Sequence, residues 1–222
     1  MNREVTLLTL YGYWRSSAAY RVRIALNLKG LAYQQIPVHL VRGGGEQHGD
    51  AYQALNPQGL VPLLVDEENG GVTIAQSLAI FEYLDEIFPV PAILPDDPPQ
   101  RAMVRALALH IACEVHPLNN LRVLQYLGGE LGVSEQQRNA WYRHWVTEGL
   151  AAVEQGLAAY GETFSLGKRP GYLEACLIPQ VYNARRFDCD LDAYPRILAL
   201  AARCEAIEAF RQAAPDAQPD AQ

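Results

Sequence analysis

Several short stretches of this chain carry side chains that could do chemistry together. Trp14-Arg15-Ser16-Ser17 stands between a compact apolar run, Leu7 to Tyr11 closed by Gly12, and the residues Ala18, Val22, Ala25 and Leu26 at helical spacing, which stop at Lys29-Gly30. Ser16 or Ser17 therefore opens a helix. There the unsatisfied backbone N–H groups and the positive end of the helix dipole favour an anion, whether carboxylate, phosphate or thiolate. Serine is also a common N-cap, so the segment alone leaves a structural cap and an anion site both open. Gln76-Ser77 repeats the pattern ahead of the stripe Ile80, Phe81, Leu84, Ile87 and Phe88. In Asn56-Pro57-Gln58-Gly59-Leu60-Val61-Pro62, the second proline heads an apolar run that reads as a strand. A proline there lacks an N–H and can adopt the cis form, which turns the preceding backbone outward, although an ordinary loop proline fits the same residues. Arg15, Arg122 and Arg186, the last beside Arg185, offer planar forks suited to carboxylates; each taken singly also reads as a solvated surface charge. Gly43-Gly44-Gly45 lacks the strand-to-helix setting and the Lys-Ser or Lys-Thr of a phosphate loop, so it reads as a flexible loop.

The elements that must hold these residues follow from hydrophobic spacing. Ala32 to Leu40 reads as a second strand, so the first strand, helix and second strand form a βαβ unit with parallel strands. The strand after Pro62 and the short run Val72-Thr73-Ile74 are joined by Asn69-Gly70-Gly71, a hairpin signal, and should be antiparallel. The order is β-α-β, a loop, then β-β-α. Residues 89–100, with Pro89, Pro91, Pro95, Pro98 and Pro99, have linker composition and divide a domain at 1–88 from one at 101–212. The second domain reads as all helix. Arg101 to Leu127 should kink at Pro117, and Glu135 to Tyr160 should face a core with Trp141, Trp145, Val153 and Leu157. Leu173 to Ala184 forms a third helix, and Pro195 opens a last one carrying Ile197, Leu198, Cys204, Ile207 and Phe210. Residues 213–222 read as a flexible tail.

Composition narrows the partners. The chain has 222 residues, half of them hydrophobic, and a net charge of -7 without a basic stripe, which argues against a nucleic acid or an anionic membrane as partner. Cys113, Cys176, Cys189 and Cys204 form no CxxC pair and mostly fall on apolar helical faces, the usage of buried free thiols in a reducing cytosol. No metal-ligand spacing is present. Met1-Asn2-Arg3-Glu4 leads into a short strand rather than a leader, and no apolar run approaches a membrane span, so a cytoplasmic protein is expected.

Tyr13 to Leu26 (Y-W-R-S-S-A-A-Y-R-V-R-I-A-L), Ala51 to Pro62, Ile74 to Tyr83 and Leu177 to Ala184 agree in order and spacing with one family. The chain resembles the zeta class of the cytosolic glutathione S-transferases over nearly its whole length. That resemblance implies an α/β thioredoxin-like N-terminal domain and an all-α C-terminal domain, a homodimer, and glutathione as cofactor. Members of the class isomerise maleylacetoacetate or maleylpyruvate, so the expected activity is glutathione-dependent cis-trans isomerisation of a dicarboxylate in aromatic-compound catabolism. Two alternatives are a broader transferase acting on small electrophiles such as α-halo acids, and a non-catalytic glutathione-binding relative.

The resemblance also assigns roles. Ser16 would activate the thiol, with Ser17 and Arg15 beside it. The backbone at Val61 would pair with the cysteinyl amide of glutathione, Gln76 and Ser77 would take its γ-glutamyl carboxylate, Gln47 would contact its glycyl end, and His116 and Asn120 would add contacts to the peptide. Arg15, Arg122 and Arg186 would hold the substrate carboxylates, with Arg185 able to substitute for Arg186. Ala18 stands where many members of the class have cysteine, which makes thiol-disulfide chemistry at this position unavailable while leaving the serine route intact. Gly171 and Glu174 stand where the wider family has a Ser/Thr-x-x-Asp box, and a modest stability loss is expected there.

Overall fold

The computed structural model describes residues 8–161 and 163–221, so Leu7 and the expected opening at Met1-Asn2-Arg3-Glu4 lie outside the described residues. Two compact units are present: residues up to Ile93 together with Ala206 onward, and Leu94–Glu205.

The first unit is built on four strands in the order β2-β1-β3-β4. The helix α1 (Ser17–Lys29) connects β1 (Leu8–Gly12) to its parallel neighbour β2 (Tyr33–Pro37). A one-turn-and-a-half helix α2 (Asp50–Leu55) follows, in a span that sequence spacing assigns to a loop. β3 (Leu63–Asp66) runs antiparallel to β1, and β4 (Val72–Ala75) runs antiparallel to β3, as the Asn69-Gly70-Gly71 turn predicts. Then comes α3 (Ser77–Ile87). This is the thioredoxin-like arrangement. Its core holds Leu8, Leu10, Leu63 and Leu64 from the sheet, with Val22, Ile24 and Leu26 from α1 and Ile80, Phe81 and Leu84 from α3. α1 is more deeply enclosed than its sequence stripe implies: Arg21, Arg23 and Lys29 are buried with the apolar residues. Lys29 Nζ donates to Asp85 Oδ1 at 2.7 Å and to the Pro91 carbonyl at 2.8 Å, which ties α1 to α3 and to the chain beyond it.

Among the described residues, the regular structure of the second unit is helical apart from an isolated bridge between Phe164 and Gly167. Asp97 caps α4 (Pro98–Leu109), whose first residue is a proline, where a missing N–H costs nothing. The expected single kinked helix from Arg101 to Leu127 is instead interrupted. After α4 come a widened π turn (His110–Val115) and a tight 3₁₀ turn (His116–Asn119), and a new helix, α5 (Leu121–Gly129), starts behind its own cap, Asn120. Pro117 removes an N–H from the ladder, and Asn120, three residues on, caps a new helix. α6 (Glu135–Leu157) begins with a Ser134/Gln137 capping box. Its buried side is Tyr142, Val146, Gly149, Leu150, Val153 and Leu157, while Trp141 and Trp145, expected in the core, are only half-buried. α7 (Tyr172–Arg186) is buried along most of its length. Glu174 reaches back to the Gly171 N–H (2.8 Å) and also accepts from the Ser165 N–H and hydroxyl, both at 2.7 Å, so one carboxylate fastens both the helix start and the loop before it. α8 (Pro195–Glu205) ends the unit.

The last predicted helix does not run through to Phe210. The chain breaks at Ala206-Ile207, and α9 (Glu208–Ala213) packs with α1 in the first unit. The segment expected as a loose tail is likewise fixed there. Asn27 Nδ2 donates to the Ala209 carbonyl at 3.0 Å, and Gln218 Nε2 donates to the carbonyls of Gln212 and Ala214, both at 2.8 Å. Among the cysteines, Cys176 and Cys204 are buried as expected, but Cys113 is exposed and Cys189 half-buried. Burial pushes the Cys204 thiol up, which keeps it protonated and inert.

Candidate functional site

Strand register brings the predicted residues of the first unit to one end of its sheet. Tyr11 pairs with Leu63, Leu63 with Ala75, and Gly12 with Pro37. The exit of β1 toward Ser16, the entry to β3 after Val61-Pro62, the exit of β4 toward Gln76-Ser77, and the exit of β2 toward Gln47 therefore share an edge. Ends of strands and starts of helices leave backbone donors without internal partners, and such donors favour an anionic or extended ligand.

Ser16 is the N-cap of α1, with φ -69° and ψ 118°, and its Oγ accepts the Ala19 N–H at 3.2 Å. The cap and the anion site are compatible. An accepting hydroxyl keeps its own proton, and no acceptor takes the Ser16 proton among the described residues. Ser17 follows as the first residue of α1 and is buried. Before them, Arg15 lies half-buried on an aromatic wall, its guanidinium 4.9 Å from the Trp14 ring and 6.0 Å from the Tyr13 ring, with Nη2 donating to Tyr13 Oη at 3.4 Å. Tyr13 in turn meets His39 edge-on at 5.0 Å. No carboxylate pairs with Arg15 among the described residues, so its charge is presented rather than neutralised.

Val61-Pro62 is a cis peptide bond. The loop before it is fixed by Asn56 and Tyr52, whose Nδ2 and Oη donate to the Leu60 carbonyl at 2.8 and 2.7 Å. The Val61 main chain makes no hydrogen bond among the described residues. It is thus a free strand-like edge for a peptide-like ligand.

Gln76 caps α3 at φ 72°, a left-handed conformation rare for a residue with a side chain, and its Nε2 donates to Gln58 Oε1 at 2.7 Å. Strain of this kind clusters at binding sites. Ser77 is buried at the first turn of α3, and its Oγ accepts from Arg21 Nη1 at 3.4 Å. Arg21 thereby stands beside the start of α3, a placement that spacing in the sequence does not reveal. It sits in the same signature as Ser16, but α1 reads there as an apolar stripe, and a buried guanidinium beside a second helix start becomes visible only once α1 and α3 are packed. Its signal in the sequence is a charge one turn into a helix whose stripe is otherwise apolar apart from Arg23. Gln47, on a 3₁₀ turn, is only 8% exposed, and its Oε1 is buried without a partner. Its side chain folds back over Gly45, where a Cβ would stand 2.5 Å from Gln47 Nε2 and displace it, and where φ of 107° favours glycine. A buried amide oxygen left unmatched in this way fits a missing donor from a ligand.

The remaining predicted residues belong to the second unit. His116 is half-buried in the 3₁₀ turn, and Asn120 Oδ1 accepts the Arg122 N–H at 3.2 Å, so Asn120 acts as the cap of α5 and Arg122 stands exposed in its first turn. Arg185 forms an ion pair with Glu205, which engages its charge. Arg186 lies over the Phe187 ring at 4.9 Å, and that ring stacks on Tyr142 at 3.6 Å. No group of three His, Cys, Asp or Glu able to hold a metal ion occurs among the described residues, and none of their helices is long and apolar enough to cross a membrane.

Comparison with known proteins adds a family to this geometry. Residues 10–97 match the model for the N-terminal domain of glutathione S-transferases. The chain is 52% identical over 214 residues to the probable maleylacetoacetate isomerase of Vibrio cholerae, covering 96% of this chain and 98% of that protein. Among solved structures it is similar to a maleylpyruvate isomerase described as a bacterial zeta-class glutathione S-transferase in its holo form, with a TM-score of 0.90 at 46% identity, covering 96% of this chain and 100% of the other. The maleylacetoacetate isomerase of Methylobacterium extorquens AM1, solved with bound malonate and glutathione, gives a TM-score of 0.90 at 38% identity, covering 96% and 99% of the two chains.

Proposed function

The chain belongs to the zeta class of the glutathione S-transferase family, and from that membership we propose that it is a glutathione-dependent cis-trans isomerase of a maleyl diacid, maleylacetoacetate or maleylpyruvate. The observation that carries this reading is Ser16, an N-cap whose hydroxyl proton remains available at the start of α1. A thiol with a pKa of about 8.5 is only about 3% ionised at pH 7. One hydrogen bond to the thiolate contributes about 1.5–3 kcal/mol, equivalent to about one to two pKa units, and the α1 dipole acts in the same direction. When bound, glutathione would supply the thiolate nucleophile for reversible addition to the cis double bond, the chemistry that permits cis-trans isomerisation without consuming the thiol.

The protein's own residues bind and orient. Ser16 donates to the sulfur. The Val61 main chain pairs with the extended peptide, Gln47 matches its glycyl end, and Ser77 with Gln76 and Arg21 takes the γ-glutamyl carboxylate. Arg15, spread over Trp14 and Tyr13, binds a substrate carboxylate bidentately. Arg122 and Arg186 are the second unit's carboxylate ligands, and His116 and Asn120 its contacts to the peptide. A cytoplasmic homodimer is part of the same reading, supported by family membership.

Isomerisation of both diacids, followed by absorbance with and without glutathione, tests the proposal. Turnover of either that requires glutathione is the expected result. Glutathione binding with turnover of neither, and conjugation of α-halo acids instead, would replace the isomerase with a broader transferase.

A further inference from the structure

Trp14 lies in the loop between β1 and α1, outside any ladder, yet it is buried. Its main-chain N–H and C=O, which belong to two successive peptide units, are both satisfied by side chains. Its N–H donates to Asp220 Oδ2 at 3.0 Å, and its carbonyl accepts from Arg23 Nη2 at 2.9 Å. Arg23 is fully buried and spans three anchors, since its Nε also donates to the Ala213 carbonyl at the end of α9 (2.9 Å) and its Nη1 to the Tyr13 carbonyl (3.5 Å). Asp220 is held in place on its other oxygen by Gln35 Nε2 of β2 at 3.4 Å. Trp14 is thus held between Asp220 of the C-terminal segment on its N–H and Arg23 of α1, itself bonded to the end of α9, on its carbonyl, and the next two residues are Arg15 and Ser16.

We propose that Asp220 is a positioning residue for the reaction: by accepting the Trp14 N–H it fixes the Trp14 peptide, and with it the Arg15 guanidinium stacked on the Trp14 ring and the Ser16 hydroxyl at the start of α1. The inference rests on the reading of Ser16 as the thiol's donor. The bond closes over 206 residues of sequence, which makes it a contact that only the folded C-terminal segment can supply. Burial pulls the Arg23 guanidinium down to about 10, still well above neutrality, so the opposite grip stays cationic in working conditions.

The test combines two readouts on Asp220→Ala, Asp220→Glu, Asp220→Asn and Ser16→Ala. One is hydrogen exchange of the Trp14 amide in the glutathione-free protein; the other is ultraviolet titration of bound glutathione. Removing the acceptor (Ala) or displacing it (Glu) should speed Trp14 exchange by about tenfold or more and lower the ionised fraction of bound thiol at neutral pH by about three- to tenfold, while Asn, which still accepts, restores both. Glu keeps the charge and only moves it, so it serves even if Ala fails to fold. A thiol that titrates as in wild type in Asp220→Ala or Asp220→Glu overturns the positioning role. Equal shifts in Asn and Ala also overturn it, because then charge and not the hydrogen bond is what matters. If Ser16→Ala shifts the thiol and the Asp220 variants do not, the serine reading stands alone; if none shifts it, both fall.

Discussion

At the residue scale, Ser16 does two jobs with one oxygen. It accepts the Ala19 N–H as a cap and keeps a proton to donate, so substitution should act on both stability and chemistry. Ser16→Ala is expected to lower kcat by about 10- to 100-fold, from the loss of a charge-assisted hydrogen bond, and to cost about 1 kcal/mol of folding stability from the lost cap. Steady-state kinetics and urea denaturation separate the two effects. Arg21 makes a second case. Its guanidinium beside Ser77 should favour a carboxylate at the start of α3, so Arg21→Met is expected to raise the KM for glutathione by about tenfold with a smaller change in kcat. Ser16, Ser77, Gln76 and the Val61-Pro62 step were legible in the sequence because each sits at a boundary that local spacing marks. Arg21 and Asp220 were not, because what defines them is a partner 56 and 206 residues away.

At the element scale, the sheet is secured at the end opposite the site, where α1 and α3 finish. Asp85 accepts from Lys29 Nζ and from the Ile93 N–H (2.9 Å), and Lys29 is buried, so Asp85→Ala leaves an ammonium with only the Pro91 carbonyl. Breaking a buried pair from one side costs about 3 kcal/mol or more, measurable as a lower urea midpoint at unchanged slope. At the same end, where β3 finishes, burial pushes the Asp66 carboxyl up, but donors from Asn69, Tyr83 and Glu68 outweigh it and hold it below the usual carboxylate range. A depressed folded pKa contributes stability above the unfolded value of about 3.9 and loses it as pH falls through the folded one. Tyr83 is pushed up to about 12, by burial first and by its hydrogen bond to Asp66 second, which contributes stability below about pH 10 and loses it above. Stability should therefore decline at both ends, and Asp66→Asn should flatten both slopes. Helix and strand order was readable from periodicity. The break at His116-Pro117 was read as a kink because proline announces an interruption but not its geometry, which the π turn and the Asn120 cap decide.

At the scale of the whole molecule, a polar, alanine-rich stretch after Phe210 looked unattached because composition reports only local preference. Its anchors, the Ala213 carbonyl and the Asp220 carboxylate, meet groups on α1 and the loop before it. The same blindness applies to assembly. Met103 and Leu109 on α4 and Tyr126 on α5 are large apolar side chains exposed on one chain, and composition does not say whether a second copy covers them. Sedimentation equilibrium should give twice the 24.6 kDa of one chain; a monomer at working concentration would contradict the proposed homodimer.

The most direct test of the isomerase is a balance of thiol against product. With one equivalent of glutathione and a large excess of maleylacetoacetate or maleylpyruvate, the account predicts many equivalents of the trans diacid formed while titratable glutathione thiol remains undiminished. Turnover that stops after one equivalent, with the thiol consumed as a conjugate, would contradict it.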